Sequence, residues 1–268
     1  MKYFLTSILF LKFSIVLGQV DRMKIADSIT TEAYKLYKSE MASWYGTDVF
    51  MEQFKSEAQN IGGYFSYEDN ESYVCLFYSK DEKPQVLGTI TFKGNYDPEK
   101  AKSDGTKREF TTKENNFYLI RKATLDEIDK DTSLFRSYKN TNYNLIPLIE
   151  GNQKKVYILT GTSKSGIVII GNDYLLTFDQ NNNLLSKKKL HANILSLPMK
   201  VQEEEGKAGV GSVHNHIPET GDFITATDIC TFMLYEKFAD WKQQMVISEK
   251  YMSIWNCKTD KLIIVPTH

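Results

Sequence analysis

The sequence of residues 210–228 is VGSVHNHIPETGDFITATD, and it places His214 and His216 at the end of a short apolar run. Because side chains two residues apart in a strand point to the same side, the two imidazoles can converge on one ion. Asp228 follows at the start of a predicted helix. These three ligands would leave the fourth position of a zinc ion open to water, as in catalytic zinc sites. The stretch therefore predicts a Zn²⁺ site formed by His214, His216 and Asp228.

The scarcity of histidine limits the alternatives to this site. The chain has only four histidines, and the other two are His191 and the terminal His268. Sites that combine a His-x-His pair with further downstream histidines are therefore poorly supported. A cupin-type site is disfavoured as well, because only two residues separate Glu219 from His216. We interpret His191 as a surface residue, since it lies on a polar approach to a strand.

The end of the same stretch also matches a helix-capping pattern. Thr225 and Asp228 have the spacing of a capping box, in which Asp228 would reach back to the backbone amide of the cap residue. The electropositive start of a helix favours an ionised carboxylate at that position. A capping box preceded by fortuitous histidines is the alternative interpretation, but it does not account for the two histidines, and we favour the metal site.

Length and composition describe an ordinary globular protein. The 268 residues are enough for one large domain or two small ones. The hydrophobic content is 41%, and the formal net charge of −1 gives no electrostatic reason to expect a nucleic acid or an anionic membrane as partner.

The first 18 residues resemble a secretory signal peptide. Lys2 precedes an apolar run, and Val16 and Gly18 have the small or apolar character that cleavage after Gly18 requires. The run is too short to span a bilayer comfortably, and no other segment approaches that length. We therefore expect an exported protein, periplasmic or secreted, without a membrane span after cleavage.

Three cysteines permit at most one disulfide bond. Cys230 lies on the predicted helix after Asp228 and Cys257 lies in a late strand, so a bridge between them is conceivable. The alternative is that Cys75, Cys230 and Cys257 are all small buried side chains.

The N-terminal region predicts an α+β domain without a chemical motif. Hydrophobic periodicity and turn residues indicate two helices, several strands, a polar loop and a short third helix. The helices are 21–44, ended by Gly46, and 47–60; the strands are 63–67, 72–79, 86–93 and 117–123; the loop is 95–113 and the short helix 125–138.

The C-terminal region alternates strands and turns around one helix. The predicted strands are 155–160, 166–171, 174–179, 210–216, 245–248, 251–255 and 262–265, and the helix follows Asp228. The fold class is α+β. We place the signal peptide at 1–18, an N-terminal α+β domain of two helices and several antiparallel strands at 19–140, and a metal-binding domain at 141–268.

His214-x-His216, the following loop, Thr225-x-x-Asp228 and the helix after it resemble the JAMM (MPN-type) metalloproteases. The motif of that family is His-x-His-x7-Ser-x2-Asp, with a glutamate on an earlier element. The resemblance covers roughly residues 141 to 268 and implies a mixed sheet flanked by helices. In this chain the loop is one residue longer and threonine replaces the serine.

The resemblance also implies roles for particular residues. His214, His216 and Asp228 would bind zinc, and Thr225 would donate a hydrogen bond to the developing oxyanion. A glutamate would act as general base. Of Glu114, Glu127 and Glu150 we favour Glu150, because the family places its glutamate near the start of the strands that lead to the histidine pair; Glu219 and Asp222 are alternative carboxylates in the loop.

The implied function is an exported zinc-dependent hydrolase of amide, peptide or isopeptide bonds that acts on a peptide or protein substrate. The alternative is a secreted binding module that keeps a JAMM-like fold without turnover. The longer loop and the threonine in place of serine motivate this second hypothesis.

Overall fold

The structure is a computed structural model that describes residues 2–199 and 211–268, with side chains from Asp21 onward. The predicted signal peptide, 1–18, lies outside the residues whose side chains are described. The chain forms two compact units, one of Met1–Tyr34 with Met199–His268 and the other of Lys35–Pro198. Neither unit boundary coincides with the sequence-based boundary between residues 140 and 141.

A single long helix, α1 (Lys2–Gln53), replaces the two helices predicted for this region. It continues through Gly46, and the residues after it form a 3-10 helix, Lys55–Asn60. Gly46 does not end the helix. It allows close packing against Cys75, because a Cβ at position 46 would lie only 2.6 Å from the Cβ of Cys75. The helix backbone can therefore approach the strand that contains Cys75 closely.

The first sheet of the Lys35–Pro198 unit is antiparallel. Its strands follow the order of the chain and are β1 (Ile61–Asp69), β2 (Ser72–Ser79), β3 (Val86–Lys93) and β4 (Lys102–Asp104). The first three confirm predicted strands, whereas β4 lies in the predicted loop. Phe50 of α1 stacks on Phe77 of β2 with ring centroids 4.0 Å apart, and the pair belongs to a buried apolar cluster.

Helix α2 (Thr112–Lys130) lies where the sequence predicted a strand at 117–123 and a helix at 125–138. The strand prediction is wrong, and the helix prediction is correct for 125–130 only, because the helix begins earlier at a capping box and ends at Lys130. The Thr111 hydroxyl accepts from the Glu114 amide, and the Glu114 carboxylate accepts from the Thr111 amide, which starts a helix at Thr112. Phe117 and Ile120, which suggested a strand, point into the core from this helix.

Six strands complete the Lys35–Pro198 unit. They are β5 (Thr141–Glu150), β6 (Gln153–Thr162), β7 (Ile167–Gly171), β8 (Tyr174–Phe178), β9 (Leu184–Lys189) and β10 (Ile194–Pro198). An antiparallel sheet has the order β5-β6-β8-β9, and β7 pairs with β10. The predicted strands at 155–160, 166–171 and 174–179 are confirmed.

His191, between β9 and β10, is buried, so its interpretation as a surface residue is wrong. Its Nδ1 lies 3.5 Å from Oδ2 of the buried Asp173. The other oxygen of Asp173 accepts a hydrogen bond from the Thr160 amide at 2.9 Å. The lysines that precede His191 gave the stretch its polar character, whereas the chain turns the imidazole toward a buried carboxylate.

The Met199–His268 part of the other unit is built on a strand–helix–strand arrangement. Its elements are β11 (Gly211–Asn215), α3 (Ala226–Ala239), β12 (Gln243–Ile247), β13 (Tyr251–Asn256) and β14 (Lys261–Pro266). β11 and β12 are parallel with α3 as the connecting helix, and the remaining pairs are antiparallel. These elements confirm the predicted strands and helix; Val210 lies outside the described residues.

The structure therefore has a mixed α+β fold, as the sequence predicted. In the part of the chain that it describes, none of the three cysteines forms a disulfide bond, so the conceivable bridge between Cys230 and Cys257 is absent. Among residues with described side chains, no helix combines the length and apolarity needed to cross a bilayer.

Replacing Gly46 by alanine tests the packing role of this glycine. Helix propensity alone would stabilise the variant by about 1 kcal/mol. The contact with Cys75 outweighs that gain, because overpacking of a core costs about 1–3 kcal/mol. We expect a lower free energy of unfolding for Gly46→Ala in urea titrations, and little change for Glu52→Ala at an exposed position of the same helix. A Gly46→Ala protein that is more stable than wild type would contradict this account.

Candidate metal site

The two histidines lie on the same side of strand β11, as their spacing predicted. Both present their Nε2 atoms to Asp228, whereas the intervening Asn215 is exposed. The His216 amide donates to the Ile247 carbonyl at 2.9 Å, which extends the parallel pairing one residue beyond β11. The backbone position of His216 is therefore set by its neighbouring strand.

The loop after His216 orients its imidazole. The Nδ1 atom of His216 lies 2.9 Å from the carbonyl oxygen of Phe223. Because a carbonyl can only accept a hydrogen bond, Nδ1 carries the proton and Nε2 of the neutral ring has the lone pair. The loop itself is anchored by the Ile224 amide, which donates to the Ser253 hydroxyl on β13. A ring nitrogen that donates to a carbonyl is the usual partner arrangement of a metal-binding histidine.

Asp228 is held in place by the predicted capping box, which is confirmed. The Thr225 hydroxyl accepts from the Asp228 amide at 3.1 Å, and the Thr225 amide donates to Oδ2 of Asp228 at 2.9 Å. The Thr225 hydroxyl also donates to the same Oδ2 at 2.7 Å. The carboxylate is thus fixed at the start of α3, where the helix dipole favours negative charge.

Each of the two histidines lies close to a different oxygen of Asp228. Nε2 of His214 lies 3.6 Å from Oδ1 of Asp228, and Nε2 of His216 lies 3.6 Å from Oδ2. Both distances exceed the range of about 2.7–3.2 Å that hydrogen bonds of this type require. Two atoms that each lie about 2.0–2.1 Å from one tetrahedral zinc ion are about 3.4 Å apart. Each histidine–carboxylate pair therefore has a separation close to that of two ligands of one ion and too long for a direct hydrogen bond.

Burial supports the same conclusion. The side chains of Asp228, His216 and His214 are 0%, 2% and 13% exposed. A buried carboxylate is costly unless it is paired, hydrogen-bonded or bound to a metal. Of these three side chains, His216 and Asp228 are buried and belong to a group of donors that could hold a metal ion, whereas His214 is not a member of that group. Nitrogen and oxygen donors suit several divalent metals.

Thr225 occupies the position that the resemblance assigns to the oxyanion donor. A hydroxyl has one proton to donate. In the structure that proton is directed to Oδ2 of Asp228, and the hydroxyl of Thr227 also lies 2.9 Å away. The Thr225 hydroxyl therefore stabilises the Asp228 carboxylate and the start of α3. It would have to rotate away from Asp228 to donate a hydrogen bond to a substrate.

Glu150, the favoured general base, is the last residue of β5 and belongs to the Lys35–Pro198 unit. Its carboxylate is 45% exposed and lies 2.7 Å from Nζ of Lys35. His214, His216, Thr225 and Asp228 belong to the other unit. The structure thus brings four of the five predicted site residues together in one unit.

The other candidate carboxylates have local partners. Burial alone would raise the pKa of Glu114, but hydrogen bonds from Arg108, Thr111 and Tyr67 lower it to about 2. Such a group is a poor proton acceptor at neutral pH. Glu127 pairs with Lys187 and Lys130, Asp222 lies 2.9 Å from Lys250, and Glu219 is exposed.

Glu236 is a buried carboxyl group that the sequence-based predictions do not include. Glu236 lies in the apolar helix α3, and it accepts a hydrogen bond from the Trp255 indole at 3.2 Å. Burial raises the pKa of Glu236 to about 7. A glutamate within an otherwise apolar helix could have signalled this. Eight residues of helix place Glu236 roughly 12 Å along the axis from Asp228, outside the metal-binding group.

Known proteins give no additional support for a metal site in this chain. Comparison with protein-family models, with curated proteins and with solved structures finds no match. The case for a metal site therefore rests on the donor atoms, their separations and their burial.

The capping role of Thr225 is tested by a pair of substitutions. Thr225→Ala removes the hydrogen bonds of the hydroxyl with the amide and the carboxylate of Asp228, and we expect it to lower the free energy of unfolding by about 1–2 kcal/mol. Thr225→Ser keeps the hydroxyl and should retain most of that stability. Urea unfolding of metal-free protein measures the difference. Equal stability of the alanine and serine variants would show that the cap does not hold Asp228.

Proposed function

We propose that His214, His216 and Asp228 bind a zinc ion and that the protein hydrolyses amide, peptide or isopeptide bonds. The observation that carries the proposal is the position of Asp228, whose two carboxylate oxygens each lie 3.6 Å from an imidazole Nε2. The resemblance of this stretch to JAMM metalloproteases supports the reaction class. Three protein ligands would leave one zinc position for water or substrate.

Neighbouring residues would hold the proposed metal ligands in a fixed orientation before zinc binds. Phe223 holds the His216 ring in the tautomer whose Nε2 can bind a metal, and Thr225 holds the Asp228 carboxylate. A bound zinc ion would lower the pKa of its water and polarise the scissile carbonyl. Because histidine and aspartate are oriented before a metal arrives, little rearrangement would be needed on binding.

A carboxylate must still accept a proton and pass it to the leaving amine. We propose Glu150 for this role from the resemblance. Its carboxylate is accessible to solvent, and Lys35 lies beside it. We further propose that the chain is exported through its N-terminal signal and that its substrate is a peptide or protein.

A second candidate function is a binding module that holds the metal without turnover. The observation that favours it is the Thr225 hydroxyl, whose proton is directed to Asp228. A site without a free oxyanion donor would lose transition-state stabilisation worth about 100- to 1,000-fold in rate. Metal binding is common to both functions, whereas catalysis separates them.

Metal analysis tests the zinc site. Wild-type protein purified in the presence of zinc should contain about one zinc per chain by mass spectrometry, as expected for one site. His216→Ala should lose the metal, because one of three protein ligands is gone. His268→Ala, at the exposed C-terminus, is the matched control and should retain it.

Two further measurements keep this test decisive. Zinc titration into the metal-free wild type should be saturable and should raise the melting temperature, since a ligand stabilises the state that it binds. His216→Ala should show no such rise even if it is folded by circular dichroism. If no metal co-purifies with the wild type and none binds on titration, the proposal is wrong.

Hydrolysis of a peptide mixture, followed by the appearance of new amino groups, separates the two functions. For a hydrolase, the zinc-loaded wild type should be active, and Glu150→Gln should reduce the rate by about 100-fold or more, as expected for loss of a general base. Glu249→Gln, at another exposed glutamate, should leave the rate unchanged. An inactive wild type that binds zinc would support the binding module. Full activity of Glu150→Gln would exclude Glu150 as the base.

A further inference from the structure

The Lys35–Pro198 unit contains a cavity whose lining includes none of the proposed metal ligands and includes Glu150, the proposed general base. Its volume is about 240 Å³, and it is lined by residues of the later part of α1, of β1 and β2, of α2 and of β5. All of its lining residues belong to this one unit. Pockets for drug-sized ligands usually measure about 300–1,000 Å³, so this cavity suits a smaller molecule.

One wall of the cavity is apolar and aromatic. Tyr67 of β1 and Phe117 of α2 stack with ring centroids 5.3 Å apart, and both line the cavity. Pro147, Leu148 and Ile149 of β5 line it as well. An apolar or aromatic side chain of a ligand could pack against these surfaces.

The floor of the cavity offers buried polar atoms. Ser39 and Ser66 both line it and are more than nine-tenths buried. The Ser39 hydroxyl donates to the Ser66 carbonyl at 3.4 Å, and the Ser66 hydroxyl lies 2.8 Å from that of Ser43. The distance of 3.4 Å between the Ser39 hydroxyl and the Ser66 carbonyl is longer than is typical of a hydroxyl hydrogen bond.

Charges of both signs line the cavity as well. Nζ of Lys35 lies 2.7 Å from the carboxylate of Glu150, and both residues line the cavity. A second lining lysine, Lys113, lies 3.0 Å from Asp69 and 4.9 Å from the ring centroid of Tyr67. Glu68 also lines the cavity. The lining thus presents ammonium and carboxylate groups beside an apolar wall.

We propose that this cavity binds a free α-amino acid with an apolar or aromatic side chain. The ligand carboxylate contacts Lys35, its ammonium group contacts Glu150, and its side chain packs against Tyr67 and Phe117. The side chains of Lys35 and Glu150 are 31% and 45% exposed, and ion pairs this exposed contribute little to stability. A zwitterion can therefore replace their mutual contact with two charge-assisted hydrogen bonds at little cost.

The size of the cavity agrees with this ligand. Its volume of about 240 Å³ lies just below the range of about 300–1,000 Å³ that is usual for drug-sized ligands. That space accommodates one amino acid and is small for an extended peptide. Amino-acid binding does not require the metal, because His214, His216 and Asp228 belong to the other unit and Glu150 is the one residue shared with the proposed function.

Calorimetric titration of the metal-free full chain with L-phenylalanine and L-leucine tests the proposal. We expect saturable binding of both and much weaker binding of glycine, which lacks a side chain. N-acetyl-L-phenylalanine lacks the ammonium group and L-phenylalaninamide lacks the carboxylate. Each should bind about tenfold more weakly or worse, because one charge-assisted hydrogen bond is lost. Absence of saturable binding, or equal binding of the capped analogues, would overturn the proposal.

Substitutions locate the binding to this cavity. Lys35→Met should weaken L-phenylalanine binding about tenfold, the loss expected for one charge-assisted contact. Lys122→Met removes a comparable exposed ion pair, Lys122 with Asp126 on α2, and it should bind as wild type. Unchanged affinity of Lys35→Met would contradict the assigned site. The analogue series uses wild-type protein, so it remains decisive if a variant fails to fold.

Discussion

The candidate site depends on the capping box at the start of α3. Thr225 and Asp228 exchange hydrogen bonds through both backbone and side chain, so the carboxylate has one orientation. That orientation directs its two oxygens to the Nε2 atoms of His214 and His216 at equal distances. The interaction that starts the helix therefore also positions a potential metal ligand, and the helix-capping and metal-binding interpretations of the motif are compatible.

The parallel pairing of β11 with β12 positions the two histidines of the candidate site. A parallel pair needs a crossover connection, and here α3 supplies it. The chain thus leaves the histidine end of β11, passes through the loop and enters the helix that carries Asp228. Asp228 is fully buried, and buried carboxylates are stabilised by hydrogen bonds, by ion pairs or by a bound metal ion. A divalent cation between carboxylate and imidazoles would provide such stabilisation.

The histidine pair, the capping box and the C-terminal strands could be predicted from the sequence because each depends on local spacing. Errors arose where a distant contact decided the outcome. Gly46 resembled a helix end, yet its role is close approach to Cys75. His191 follows a run of lysines and resembled a surface residue, yet it faces buried Asp173. No single-sequence pattern reports contacts between residues this far apart in the chain.

The start of helix α2 was missed for a different reason. Its apolar residues fit both a short strand and a helix, and only the Thr111–Glu114 cap separates the two. The general base illustrates a further limit. Glu150 was chosen by its place in the chain order, and the structure shows it paired with Lys35 in the other unit. Its role in catalysis stays a prediction that only kinetics can test.

X-ray absorption spectroscopy of the zinc-loaded protein tests the central claim most directly. The account predicts a first shell of nitrogen and oxygen atoms at about 2.0–2.1 Å, with outer-shell scattering from at least two imidazole rings. Substitution of His216 should reduce the imidazole contribution and displace the metal. A sulfur shell at about 2.3 Å, or a zinc ion surrounded by oxygen alone, would contradict a site built from His214, His216 and Asp228.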